Sequence, residues 1–120
     1  MTTTELGLNQ VSQYTDFNVK FSNITKDGSP LNFTTVGTWI FTMGATLSQT
    51  GVISKSTTGV ASGDFSVVAA SSYVSVGVRA SEFGSGYGQY YCSLFAQTSG
   101  RRISHSPVSL HVVPQIQPGV

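Results

Sequence analysis

A chain of 120 residues amounts to one domain, since domains most often run roughly 100–150 residues, and it is long enough to bury a core without disulfides or metals. Only 9% of its residues are charged, against about 25% in ordinary soluble proteins, and the net charge is +1. That leaves no basic face for a nucleic acid, no apolar run near the ~20 residues that span a membrane, and too few carboxylates, histidines and cysteines to assemble a catalytic site.

The chain instead holds 32 Ser and Thr and 13 Gly, with 39% apolar residues that argue against disorder. The opening Met1-Thr2-Thr3-Thr4-Glu5 has neither a basic region nor an apolar segment. No secretory signal is therefore expected, and synthesis is expected in the cytosol. Met1 to Val11 shows no sustained alternation and is read as an extended strip.

From there the apolar residues alternate with period two rather than at helical spacing. Phe17, Val19 and Phe21 define a half-buried strand, and Lys26-Asp27-Gly28-Ser29-Pro30 breaks the chain with an Asp-Gly turn. Asn23-Ile24-Thr25 and Asn32-Phe33-Thr34 match the glycosylation triplet but read as strand and turn composition. Thr38 to Met43 is the next strand, with Trp39, Phe41 and Met43 on one face. Gly51 to Lys55 is a short strand, Gly59 to Gly63 a bend, and Asp64 to Val68 another strand.

Tyr73 to Arg79 places Val74, Val76 and Val78 inward, and Ser81 to Gly88 is a glycine-rich loop. Gln89 to Gln97 is the longest strand, with Tyr90, Cys92, Leu94 and Ala96 on one face and Tyr91, Ser93, Phe95 and Gln97 on the other. Ser99-Gly100 turns the chain, Ile103 opens the return, and Val108 to Val112 closes the domain. Pro114 to Val120, with two prolines and no alternation, is a second extended strip. At least seven short strands separated by turn signals predict an antiparallel sandwich of two sheets, with about seven to nine strands and no disulfide.

Little chemistry can be assembled on this frame. His105 and His111 lie six strand positions apart, roughly 20 Å at about 3.3 Å per residue, too far to share a metal. Cys92 falls on the apolar face, where a thiol is inert. Gly84-Ser85-Gly86-Tyr87-Gly88 lacks the spacing and the following helix of a phosphate loop. No catalytic, cofactor-binding or metal-binding residue is expected, and no cofactor. The residues that suit contact with a partner are Arg101 and Arg102 at the hairpin, which either grip a carboxylate or keep an exposed hairpin soluble, and Tyr87 and Tyr91. The low charge itself suits permanent packing against other subunits, because interface cores are depleted in charged residues.

Gly88-Gln89-Tyr90-Tyr91-Cys92 resembles the Gly-x-Tyr-x-Cys of the penultimate strand in immunoglobulin-like domains, and the resemblance extends from about Phe17 to Val112. It implies that Tyr90 ties a sheet corner through its hydroxyl, that Cys92 sits in the core, and that Trp39 is the core tryptophan packing near it. The first cysteine of that family is absent; Val19 or Phe21 stands in its place. A disulfide-free, charge-poor version is similar to the immunoglobulin-like domains of tailed-phage virion proteins. The implied function is that of a non-enzymatic structural protein, made in the host cytoplasm and attached to capsid, as decoration, or to tail or baseplate. Its implied partners are other virion subunits in a symmetric or multi-copy assembly, with no nucleic acid and no membrane, the terminal strips acting as the attachment device. The alternative is an adhesin-like module that recognises a cell-surface glycan or protein through its end loops.

Overall fold

Alternating apolar side chains pay for burial only when two sheets close over them, and this chain closes two. A computed structural model describes residues 10–26, 28–45, 53–58, 62–83, 86–105 and 107–116. In chain order the strands are β1 (Gln10–Ser12), β2 (Phe17–Phe21), β3 (Thr25–Lys26), β4 (Ser29–Pro30), β5 (Thr38–Gly44), β6 (Ile53–Ser56), β7 (Phe65–Val68), β8 (Tyr73–Val78), β9 (Gly88–Thr98), β10 (Arg101–Ser104) and β11 (Val108–Val113). The large sheet runs β1-β11-β9-β5-β6, with β10 also on β9; the small sheet runs β2-β8-β7; β3 and β4 form a hairpin. The fold is all-β, a sandwich of two mostly antiparallel sheets.

Its strands exceed the expected seven to nine by short segments that alternation cannot reveal. β1 has a single inward residue, Val11, and pairs in parallel with β11, placing Val11 opposite Val112. Gln10 and Val11 therefore belong to the sheet rather than to an extended terminal strip; residues 1–9 and 117–120 lie outside the described residues. The expected strand at Gly51 to Lys55 is described from Ile53, and the bend at Gly59 to Gly63 only from Ser62. Ala80–Phe83 forms one helical turn, α1, where a loop was expected, and Gly84 and Ser85 are not described. Among the described residues no helix is longer than these four.

Inward residues of both sheets meet in one core. Phe17, Val19 and Phe21 from β2 and Val74, Val76 and Val78 from β8 face Phe41, Met43, Cys92, Leu94 and Ala96. Phe21 and Phe41 join the sheets edge to face at 6.1 Å. Burying each such aliphatic or aromatic side chain contributes about 1.5–3 kcal/mol, which makes this layer the main stabilising element.

β10 and β11 behave as one strand with a fault in it. Ser104 pairs with Phe95 while Val108 pairs with Cys92, so four steps on one side match three on the other. A one-residue slip of register thus falls between Ser104 and Val108. It turns the His105 ring inward onto Phe21, 5.4 Å between centroids, and its Nε2 donates to the Ser22 carbonyl at 2.8 Å. The hairpin before it turns at Gly100, whose φ of +70° favours glycine.

Candidate functional site

The outer face of the large sheet is broad and nearly without charge. Side chains two apart on a strand share a face, so the register defines its rows. Ser109 and Gly44 flank Tyr91, Ser54 and Ser93 flank Thr42, and Ser104 and Ile40 flank Phe95. Among the described residues of this face, Arg102 alone is charged. Its guanidinium lies 6.0 Å from the Phe95 ring centre and its Nε donates to Gln97 Oε1 at 3.1 Å. Phe95, Ile40 and Tyr91 are half-buried.

The four expected contact residues do not form one site. Arg101 stands opposite Thr98 and Arg102 opposite Gln97, so strand alternation sends their side chains to opposite faces. Arg101 instead borders a cleft with Pro30, Asn32 and Ser99, and the pair cannot grip one carboxylate from one side. Tyr87, 63% exposed, lies just before β9, eleven positions before Thr98 and roughly 36 Å away at about 3.3 Å per residue. Tyr91 and Arg102 share the outer face.

Cys92 is fully buried, and burial pushes its thiol up to about 12, a state in which it is no nucleophile. Its cross-strand partner is Met43, whereas Trp39 stands opposite Ala96 and packs edge to face on Phe33 at 5.0 Å. The expected packing of Trp39 near Cys92 is thus corrected: they lie four positions apart along the sheet, about 13 Å at 3.3 Å per residue. Tyr90 is half-buried against the core, opposite Leu110. His111 points outward beside Gln89 while His105 points inward, so the two histidines are on different faces. Asn32, in the second Asn-x-Thr triplet, caps a short turn, its Oδ1 accepting from the Thr34 amide at 3.1 Å and the Thr34 hydroxyl at 2.7 Å.

The densest polar constellation is one that reading the sequence missed. Lys55 is buried, its side chain 2% exposed, and its Nζ donates to Asp64 Oδ2 at 2.9 Å, Glu82 Oε1 at 2.8 Å and the Gly77 carbonyl at 2.7 Å. Three acceptors satisfy the three ammonium protons. Arg79 closes the network, its guanidinium donating to Asp64 Oδ1 at 2.9 Å and its amide to Glu82 Oε1 at 2.9 Å. Burial acts most strongly on Glu82 and raises its pKa, but the hydrogen bonds and charge of Lys55 and the Arg79 amide outweigh it, leaving the carboxyl below its ordinary value. The signal was present in Ile53-Ser54-Lys55-Ser56: alternation places Lys55 on the same inward face as Ile53.

Among the described residues no three His, Cys, Asp or Glu side chains are grouped as a metal site would require. Comparison with protein-family models, with curated proteins and with solved structures gives no match.

Proposed function

We propose that this chain is a non-enzymatic structural protein of a phage virion, held on capsid, tail or baseplate by surface complementarity repeated in many copies. The observation that carries this reading is the outer face of the large sheet, where Arg102 is the one charged residue among those described. A face of Ser, Thr, Tyr, Phe and Ile avoids the large cost of burying unpaired charges against a neutral partner. It also provides little repulsion to keep free monomers apart. The test is quantitative mass spectrometry of gradient-purified particles from the phage that encodes the chain. A fixed copy number per particle supports the reading; absence from particles overturns it.

The adhesin-like alternative draws on Tyr87, a large aromatic ring left 63% exposed at one end of the sandwich. Tyrosine offers an apolar face and a polar tip to a sugar or a protein. Binding of the purified monomer to host cells, lost in Tyr87→Ala, would favour recognition over structure.

A further inference from the structure

We propose that Lys55 and Asp64 condense into an intramolecular amide that staples the two sheets, with Glu82 as the proton carrier and Arg79 as the group that holds the developing negative charge. This inference is independent of the virion reading. It rests on a primary amine removed from water and held 2.9 Å from one carboxylate oxygen, with a second carboxylate on the same nitrogen at 2.8 Å.

A lysine is almost never fully buried unless paired, and a buried ion pair returns little net stability because both charges must be desolvated. Condensation removes both charges. Fixed reactants in contact also reach effective concentrations of about 10⁵–10⁸ M, which offsets the ordinary reluctance of an amine and a carboxylate to condense in water.

The step balances on these four side chains. Glu82 takes one proton from the Lys55 ammonium and passes it to Asp64 Oδ2, leaving a neutral amine beside a neutral carboxylic acid. Nζ attacks Cγ of Asp64 and a C–N bond forms. Negative charge develops on Oδ1, which already accepts from the Arg79 guanidinium at 2.9 Å. A second proton leaves Nζ through Glu82 to Oδ2, the Cγ–Oδ2 bond breaks, and one water departs. Nothing is oxidised or reduced, and Glu82 ends ionised as it began.

The product ties β6, the edge of the large sheet, to the turn that enters β7 of the small sheet. A disulfide would bridge sheets in this way, but the chain holds a single cysteine.

The experiment is intact mass of the purified, denatured chain followed by tryptic mapping. An amidated Lys55 resists trypsin, so the expected result is a chain lighter by one water, with residues 27–79 recovered as one peptide carrying that loss. A succinimide at Asp27-Gly28 would also remove one water, but it leaves cleavage after Lys55 intact and so overturns the proposal. A wild-type chain at full mass and cleaved after Lys55 overturns it as well. Lys55→Met is expected at its full calculated mass; the same water loss there places the dehydration elsewhere and refutes the staple. Glu82→Gln keeps an acceptor for both Lys55 and the Arg79 amide but cannot relay a proton, and is expected to remain uncondensed. Full condensation in Glu82→Gln overturns the role of Glu82.

Discussion

Cys92 stands directly across the sheet from Met43, thiol beside thioether, both with no exposed surface. The corresponding pairing for Trp39 is Ala96, four positions along β9 from Cys92, where the indole packs edge to face on Phe33. The middle of the large sheet's inner face is therefore two polarisable sulfur side chains, which meet Phe17, Val19 and Phe21 of β2 and the valines of β8 and adapt their shape to these neighbours.

Cys92 is expected to stay unreactive until the protein unfolds. A thiol reagent should label it only in denaturant, and Cys92→Ser should cost about 1–3 kcal/mol by burying a hydroxyl in an apolar site. Its pKa, raised from 9.0 to about 12, also gives a pH dependence with a defined sign. Between those values the folded state retains a proton that the unfolded state loses. The contribution is therefore full below pH 9 and lost as pH climbs toward about 12. Urea midpoints of wild type and Cys92→Ala should converge over that range.

Trp39 and Phe33 should behave as a coupled pair, and Trp39 and Cys92 as independent sites. Trp39→Ala is expected to cost about 3–5 kcal/mol, and a double-mutant cycle with Phe33→Ala to give a coupling of about 0.5–1.5 kcal/mol. The Trp39→Ala and Cys92→Ala effects should add to within about 0.5 kcal/mol, since about 13 Å of strand separates them. Strong coupling between Trp39 and Cys92 would restore the packing that the immunoglobulin resemblance implied.

The physics that makes strands legible explains these outcomes. Phe17 to Phe21, Tyr73 to Val78 and Gln89 to Gln97 could be read because period-two alternation over five or more residues states which side is buried. β1, with Val11 as its one inward residue, and the two-residue strands β3 and β4 are too short to carry a period. α1 is a single turn, below any helical repeat. Register is the larger gap: that Met43 rather than Trp39 meets Cys92 depends on how strands slide past one another, which alternation within one strand cannot specify. Lys55 was overlooked for another reason. Its parity with Ile53 marked it as inward, but a lysine is expected in solvent, and its partners Asp64 and Glu82 lie on later elements.

Asp16 should hold α1 against the sandwich. Its Oδ1 accepts from the amide of Ala80 at 2.8 Å, a contact across 64 residues at the start of the only four-residue helical turn described. Asp16→Ala is expected to cost about 0.5–2 kcal/mol, the usual range for losing a helix cap, and to speed hydrogen exchange at the Ala80 amide. Asp16→Asn, which keeps the accepting oxygen, should lose much less. Equal losses in both variants would mean that the charge of Asp16, not its oxygen, is what matters.

A single charge placed in the middle of the outer face is the most direct probe of assembly. Thr42 sits on β5 between Ser54 of β6 and Ser93 of β9, with its side chain turned away from the core. Thr42→Lys leaves the inner layer untouched, so the unfolding midpoint should move by no more than the ~0.5 kcal/mol typical of surface changes. If the face packs on a neighbouring subunit, the buried ammonium has no partner there, and an unpaired buried charge is strongly disfavoured. The variant should then fold normally yet be missing from purified particles. A chain trimmed to residues 10–116 is the counterpart, because it keeps β1 and β11 while removing residues 1–9 and 117–120, the outer parts of the terminal strips. Thr42→Lys lost and the trimmed chain retained would assign attachment to the sheet face. The opposite pattern would assign it to the strips and leave the face to solvent.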